Sequence, residues 1–221
     1  MLEFIRDNFL HVAPILIAGA FAVGLLLERS KALFVSLPLK NPKAFLQDLA
    51  EAMRQGQSDR ALALCDREKE KPLAQLARVA VQRAHLPEDL LAQGLSIVLS
   101  EQIMRVRQRT AYISMIANVA TLLGLFGTIV GLIHSFEAVG HADPQQKAAL
   151  LANGISTAMN ATMLGLGVAI PCMVGFSVLA SRANHLVSEL DEGATRLMDL
   201  LKVQAYADLE PGRSGRSVEA A

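Results

Sequence analysis

Two stretches of this chain are long and carry no charge. Ala111–Phe136 contains no Asp, Glu, Lys or Arg, and Ala148–Ser181 contains none either. Each exceeds the roughly 20 apolar residues that take an α-helix across a bilayer. Both nevertheless contain Ser, Thr and Asn, whose polar groups cost free energy in lipid unless they find partners. A membrane helix that gathers such residues on one stripe either packs them against another helix or lines a water path with them.

A third apolar run, Val12–Leu27, is bounded by His11 and Glu28-Arg29 and, with Phe9 and Leu10, is long enough for one span. A cleaved signal peptide would need a basic start and a small-residue cleavage site. Here Glu3, Arg6 and Asp7 make the start net negative, and the run closes on Leu25-Leu26-Leu27-Glu28, so a retained helix is expected. Of the 21 Lys and Arg residues, 14 lie in residues 28–110 and five follow Ala180. Only Arg6 precedes the first span and only Lys147 separates the second from the third. Positive residues collect on the cytoplasmic side. The expected layout is therefore a periplasmic N-terminus (1–11), a first transmembrane helix (12–27) and a cytoplasmic helical domain (28–110). A second span (111–136), a periplasmic loop (137–147), a third span (148–180), a cytoplasmic helix (181–206) and a disordered tail (207–221) follow.

The fold class expected is an all-α membrane protein with three transmembrane helices, the second and third extended into the cytoplasm. Asn41-Pro42 reads as an N-cap with proline at the first helical position, Gly56 as a break, Ser58 as the cap of a second helix, and Pro72 as the start of a third. No proline occurs between Pro87 and Pro144, so a single helix from Glu88 to about Ser135 is expected. From Gln145 the helical pattern continues through Pro171, where a kink is expected, to about Tyr206. Leu186, Leu190, Leu197 and Leu201 prolong an apolar stripe beyond the membrane, which predicts bundling along that helix.

The chain's formal net charge is zero, which supplies no basic field for nucleic acid. Cys65 and Cys172 stand far apart and the five His are isolated, so no metal or cofactor is expected. Nothing forms a nucleophile–base set or a phosphate loop, and no enzyme activity is expected.

At 100° per residue, Ser114, Asn118, Thr121 and Thr128 fall within about 80° of one another, with Ser135 close to the same line. On the third span Asn153, Ser156 and Asn160 share one face. Gly154, Ala158, Ala161, Gly165 and Ala169 share another, which repeats the small-xxx-small spacing that lets helix backbones approach. Gly127 and Gly131 repeat that spacing on the second span. Three spans can hardly enclose a pore, so a path along the polar line implies an oligomer. Hydroxyls order water but hold no proton's charge at physiological pH, and no carboxylate lies in either stretch. The protonatable group of any proton path must come from elsewhere, most simply from a second membrane protein.

The segments Gly124-Leu-Phe-Gly-Thr128-Ile-Val-Gly131-Leu-Ile-His-Ser-Phe136 and Gly154-Ile-Ser-Thr-Ala-Met-Asn-Ala-Thr162-Met-Leu-Gly-Leu-Gly-Val-Ala-Ile-Pro171 resemble the MotA/TolQ/ExbB proton-channel family, nearer its ExbB and TolQ branch. Glu28-Arg29 and Pro72-Leu73-Ala74 fit as well. The resemblance implies a homopentamer in the bacterial inner membrane, N-terminus periplasmic and C-terminus cytoplasmic. Its second and third spans would line a central pore around the single-span helices of an ExbD- or TolR-like partner. The partner would supply an Asp, and this chain Thr128 and Thr162 as pore-lining hydroxyls, with Thr121, Asn118 and Ser114 along the same path. Thr157, Asn160 and Ser156 would serve an inter-subunit contact or the path. The sequence departs from the pattern at Thr157, where ExbB and TolQ usually carry Glu five residues before the pore threonine. A non-conducting scaffold that binds a partner helix and a sodium-driven motor remain the alternatives.

Overall fold

The computed structural model describes residues 9–209, with side chains placed for 12–203. The expected N-terminal segment up to residue 8 and the tail from residue 210 lie outside the described residues. The elements are α1 (Phe9–Lys31) followed directly by a π-helical turn (Ala32–Ser36), α2 (Pro42–Arg54), α3 (Ser58–Arg67), α4 (Pro72–Gln82), α5 (Glu88–Arg107), α6 (Thr110–Gly140) and α7 (Lys147–Leu209). No strand occurs among the described residues. Three helical segments, Val12–Ser36, Glu88–Gly140 and Lys147–Val203, are long and apolar enough to cross a membrane. The molecule is an all-α membrane protein.

Local chemistry sets most boundaries. Pro42 and Pro72 occupy the start of their helices, where the missing N–H costs nothing. Gly56 has φ +69, a left-handed geometry open to glycine at no steric cost, and its N–H donates to the Met53 carbonyl at 3.0 Å beyond the end of α2. Two expected caps differ in detail. Asn41 precedes α2 without a side-chain capping bond, and Gln57 takes the capping position of α3, leaving Ser58 as its first helical residue. The expected outer loop is shorter than 137–147, because α6 continues to Gly140. α7 is helical through Pro171.

The single helix expected from Glu88 to Ser135 is interrupted. Gln108 (φ −50, ψ 139) and Arg109 (φ 61, ψ −12) separate α5 from α6. A non-glycine residue in the left-handed region costs roughly 1–2 kcal/mol. Both Gln and Arg favour helix, so local propensity does not account for the break. Arg109 Nη1 donates to Glu28 Oε1 on α1 at 2.6 Å.

The chain forms two compact units. The first comprises the chain through Lys31 and Arg109–Ser181. Its buried residues are Val12, Ile15, Ala22 and Leu25 of α1, Ile113, Ile116, Ala117 and Ala120 of α6, and Ala158, Ala161, Ala169, Cys172 and Leu179 of α7. The second comprises Ala32–Gln108 and the chain from Arg182. There Leu49, Met53, Leu73, Leu76, Leu91, Leu95 and Val106 are buried, as are Leu186, Leu190, Leu197 and Leu201, the apolar stripe on the extension of α7. The ion pair Lys202–Glu88 (2.6 Å) lies within this unit.

Candidate functional site

The site is built on the α6–α7 hairpin of the first unit. A Cβ on Gly124 would stand 3.1 Å from the Gly165 Cα; on Gly127, 2.7 Å from the Ala161 Cβ; on Gly131, 3.1 Å from the Ala158 Cβ. A Cβ on Gly154 would collide with the Ser135 hydroxyl. Contact positions rise along α6 as they fall along α7, so the two helices are antiparallel. At Gly165 the approach is backbone on backbone, since an added Cβ would meet the Ala120 carbonyl oxygen at 2.7 Å and the Gly124 Cα at 2.8 Å. The four glycines expected to pack helices, Gly127, Gly131, Gly154 and Gly165, all sit in this seam. Close approach of this kind replaces apolar burial as the force that pairs helices in lipid.

The seam sorts the polar residues. On α6 the line through Ser114, Asn118, Thr121 and Thr128 lies about 90° round from the seam. Asn118 and Thr121 are exposed, and Ser114 and Thr128 are half-buried. Ser135 falls away from that line. It is buried at the seam, where its Oγ donates to the Gly131 carbonyl at 2.6 Å. On α7, Thr162 lies about 60° to one side of the seam, Asn153, Thr157 and Asn160 lie on the other, and Ser156 points directly away from it. Because the helices are antiparallel, the Thr162 side of α7 is the Thr128 side of α6. Thr121, Thr128 and Thr162 therefore share one flank of the hairpin, and Thr157 and Asn160 belong to the opposite flank.

α1 occupies that opposite flank. Gly19 approaches Val168, where an added Cβ would come within 3.1 Å, and Gly175 approaches Leu26 at 2.5 Å on the same measure. Val168 and Gly175 stand on the Asn153–Asn160 side of α7. Among the described residues no helix covers the threonine flank, where Leu122, Leu125 and Ile129 are exposed.

The hydroxyl protons of this flank are already placed. Thr121 donates to the Ala117 carbonyl (3.1 Å), Thr128 to the Leu125 carbonyl (2.6 Å), and Thr162 crosses the seam to the Gly124 carbonyl (3.2 Å). Thr157 donates to the Asn153 carbonyl (3.0 Å). With its proton committed, each oxygen keeps lone pairs for an incoming donor. The flank can accept hydrogen bonds from water, an ammonium-like cation or a protonated acid, and among the described residues no charged side chain stands on it. Among the described residues no His, Cys, Asp and Glu group could hold a metal ion.

Sequence reasoning missed the Gly124 carbonyl as Thr162's partner, the helix-pairing roles of Gly19 and Gly175, and the Glu28–Arg109 pair. The first had a signal in the Gly124-to-Gly165 pairing of small residues. The others depend on the placement of α1, which no local pattern gives.

A helical hairpin closed by backbone contact, with a third helix on one flank and a hydroxyl line on the other, defines a multi-pass membrane protein. The model of the MotA/TolQ/ExbB proton channel family matches residues 68–192. This is more than half of the chain, and the chain belongs to that family. It is similar to the Tol-Pal system protein TolQ of Haemophilus influenzae, 28% identical over 52% of this chain and 50% of that protein. It is also similar to biopolymer transport protein exbB1 of Vibrio cholerae, 27% identical over 80% of this chain and 78% of the relative. For biopolymer transport protein ExbB of Salmonella typhimurium the identity is 33%, over 48% of this chain and 45% of that one. The chain thus spans about half the length of the Haemophilus and Salmonella relatives it matches.

Proposed function

We propose that this chain is the stator-type subunit of a proton-motive-force-driven motor in the inner membrane, coupling ion flow to work at the cell envelope. The observation that carries the reading is the uncovered flank that holds Thr121, Thr128 and Thr162 together and bears no carboxylate. In a ring of copies, pentameric as the family resemblance implies, that flank would face a central pore. An ExbD- or TolR-like helix in the pore would bring an Asp whose protonated form donates to a threonine oxygen. Each proton that crosses would deliver about 2.3 kcal/mol per 100 mV, which would drive the inner helices against the ring. The N-terminus would lie in the periplasm and the C-terminus in the cytoplasm, following the 14 basic residues of residues 28–110. Thr157 and Asn160, on the α1 side, would belong to subunit contacts and not to the pore.

The test is proton flux into liposomes that hold this chain together with its partner. Thr128→Val combined with Thr162→Val is expected to lower flux at least tenfold while the complex still assembles. Intact flux in the double variant would sink the channel reading and leave the non-conducting scaffold, which the internally satisfied hydroxyls also fit. Flux and work that stop without sodium at a constant proton gradient would point to the sodium-driven alternative.

A further inference from the structure

The threonine flank of the hairpin carries two kinds of polar group. Thr121, Thr128 and Thr162 have committed their protons to carbonyl oxygens at 3.1, 2.6 and 3.2 Å. Each can therefore only accept a further hydrogen bond. Asn118 differs. A primary amide has two N–H donors besides its carbonyl oxygen. Among the described residues the Asn118 side chain makes no hydrogen bond, and it is exposed. The cause is local: a hydroxyl on Cβ reaches the carbonyl one turn back, whereas the longer amide points outward from the helix. Half-buried Ser114, four residues earlier, makes no hydrogen bond among the described residues either. The line on α6 thus has a donor end, Ser114 and Asn118, and an acceptor end, Thr121 and Thr128.

The two ends meet between Asn118 and Thr121. These residues stand about 4.5 Å apart along the axis and about 60° apart around it. A group lying against this turn meets a donor and an acceptor together. No fixed charge competes for it. Val12–Leu27, Ala111–Phe136 and Ala148–Ser181 contain no Asp, Glu, Lys or Arg. Of the other titratable side chains in these stretches, Cys172 is buried, and Tyr112 and His134 fall on the α1 side of α6. A protonated carboxyl group needs an acceptor for its O–H, and a carboxylate needs donors. Donation to the charged form favours that form.

We propose that Asn118 is the proton-release residue of the path: Thr121 Oγ accepts from the partner's protonated carboxyl group, and the Asn118 N–H groups hold the carboxylate left behind. The assignment rests on the channel reading and its orientation. The acid's O–H bond breaks, its electron pair stays on the carboxylate, and the proton passes to a water molecule toward the start of α6, the cytoplasmic side. The carboxylate takes its next proton from water on the Thr128 side, about 10 Å along α6 from Thr121.

Proton flux in liposomes that hold the full chain with its single-span partner tests this, measured against pH on the cytoplasmic face at fixed pH on the other. Asn118→Val removes the donors and disfavours the carboxylate, so the pH of half-maximal flux is expected to rise by about one unit. Asn118→Thr keeps a polar side chain, but its hydroxyl proton would go to the Ser114 carbonyl as that of Thr121 goes to Ala117. It should shift the midpoint as the Val variant does. Asn118→Gln keeps the N–H donors and should restore the wild-type midpoint, whatever its absolute flux. A wild-type midpoint in the Thr variant overturns the proposal, because polarity alone would then suffice. Equal shifts in the Gln and Val variants overturn it too, because shape and not donation would then matter. If Asn118→Val does not assemble, the Thr and Gln variants decide the question between them. Failure of the channel reading shows separately, as intact flux in the Thr128→Val and Thr162→Val double variant, whereas failure here leaves that result standing.

Discussion

The two units of this molecule bury different things. Around the α6–α7 seam the buried residues are Ala117, Ala120, Gly124, Gly127, Ala158, Ala161, Gly165 and Ala169. In the second unit small residues such as Ala61, Ala74 and Ala77 are buried too, but beside many large ones, among them Leu49, Leu73, Leu76, Leu91, Leu95, Leu186, Leu190 and Leu197. In water, large aliphatic side chains drive helices together because each removes much apolar area from solvent. In lipid that gain vanishes, since the acyl chains are as apolar as Leu, and close packing of small residues takes its place. One chain uses both rules, and the large exposed residues of the membrane unit, such as Phe21, Phe126 and Met159, follow from the second.

The contrast can be broken most severely at Gly165. Gly165→Leu places atoms where the Ala120 carbonyl and Gly124 backbone already stand. Backbone cannot yield as a flexible side chain can, so a cost above the usual 1–3 kcal/mol of overpacking is expected. Loss of assembly on size-exclusion chromatography in detergent would register it, whereas Gly167→Leu, with nothing within 4 Å of an added Cβ, should assemble normally. Next in size is the reverse experiment in the second unit. Leu76 is fully buried, and Leu76→Ala should cost about 2–5 kcal/mol in denaturant unfolding followed at that unit. Comparable losses from Leu122→Ala, at an exposed position, would mean that the two units do not follow different rules.

A pH effect is expected in the second unit. Burial pushes the Cys65 thiol up to about 11, and the negative charge of Asp66 adds to the shift while Arg78 opposes it. Unfolded, the thiol titrates near 8.5. Between those values the unfolded state has lost a proton that the folded state keeps, so stability falls as pH rises through that window. The expected loss is on the order of 2 kcal/mol by pH 10. Unfolding midpoints of the wild type and Cys65→Ala at pH 8 and pH 10 should show the smaller pH dependence in the variant.

Thr162→Val should reduce stability by only about 0.6 kcal/mol, the usual worth of a hydroxyl bond between membrane helices. A large effect on flux with so small an effect on stability would separate the pathway role of this residue from its packing. The smallest change is expected at Arg196–Glu192, an exposed i,i+4 pair at 2.6 Å. Its double-mutant coupling should be about 0.3–0.5 kcal/mol and should weaken with salt.

The spans, the order of helices and the small-residue face of α7 were legible because they rest on composition and on a period of 3.6 residues, both local properties. The polar line on α6 was legible for the same reason as far as Thr128. Ser135 sits at the seam, because at 100° per residue it lies between the polar line and the glycine face and shares the angle of buried Ala117. Thr157 and Thr162 are on one helix, and their separation was visible in the sequence. Which of them shares a flank with Thr128 required the antiparallel pairing. The continuous helix expected from Glu88 is interrupted at Gln108 and Arg109, two residues whose local propensity favours helix, so nothing in the local pattern signals the break.

The sequence by itself determined that three helices are long and apolar enough to cross a membrane, that basic residues concentrate in residues 28–110 and after Ala180, and that hydroxyls stand in the spans without a carboxylate. Charge, hydropathy and helical period act at short range, so the order of residues is enough to express them. Tertiary structure decided which flank stays open and which threonines share it. Those outcomes depend on how α1, α6 and α7 meet, and a meeting of helices is settled by contacts between residues that the linear sequence leaves far apart.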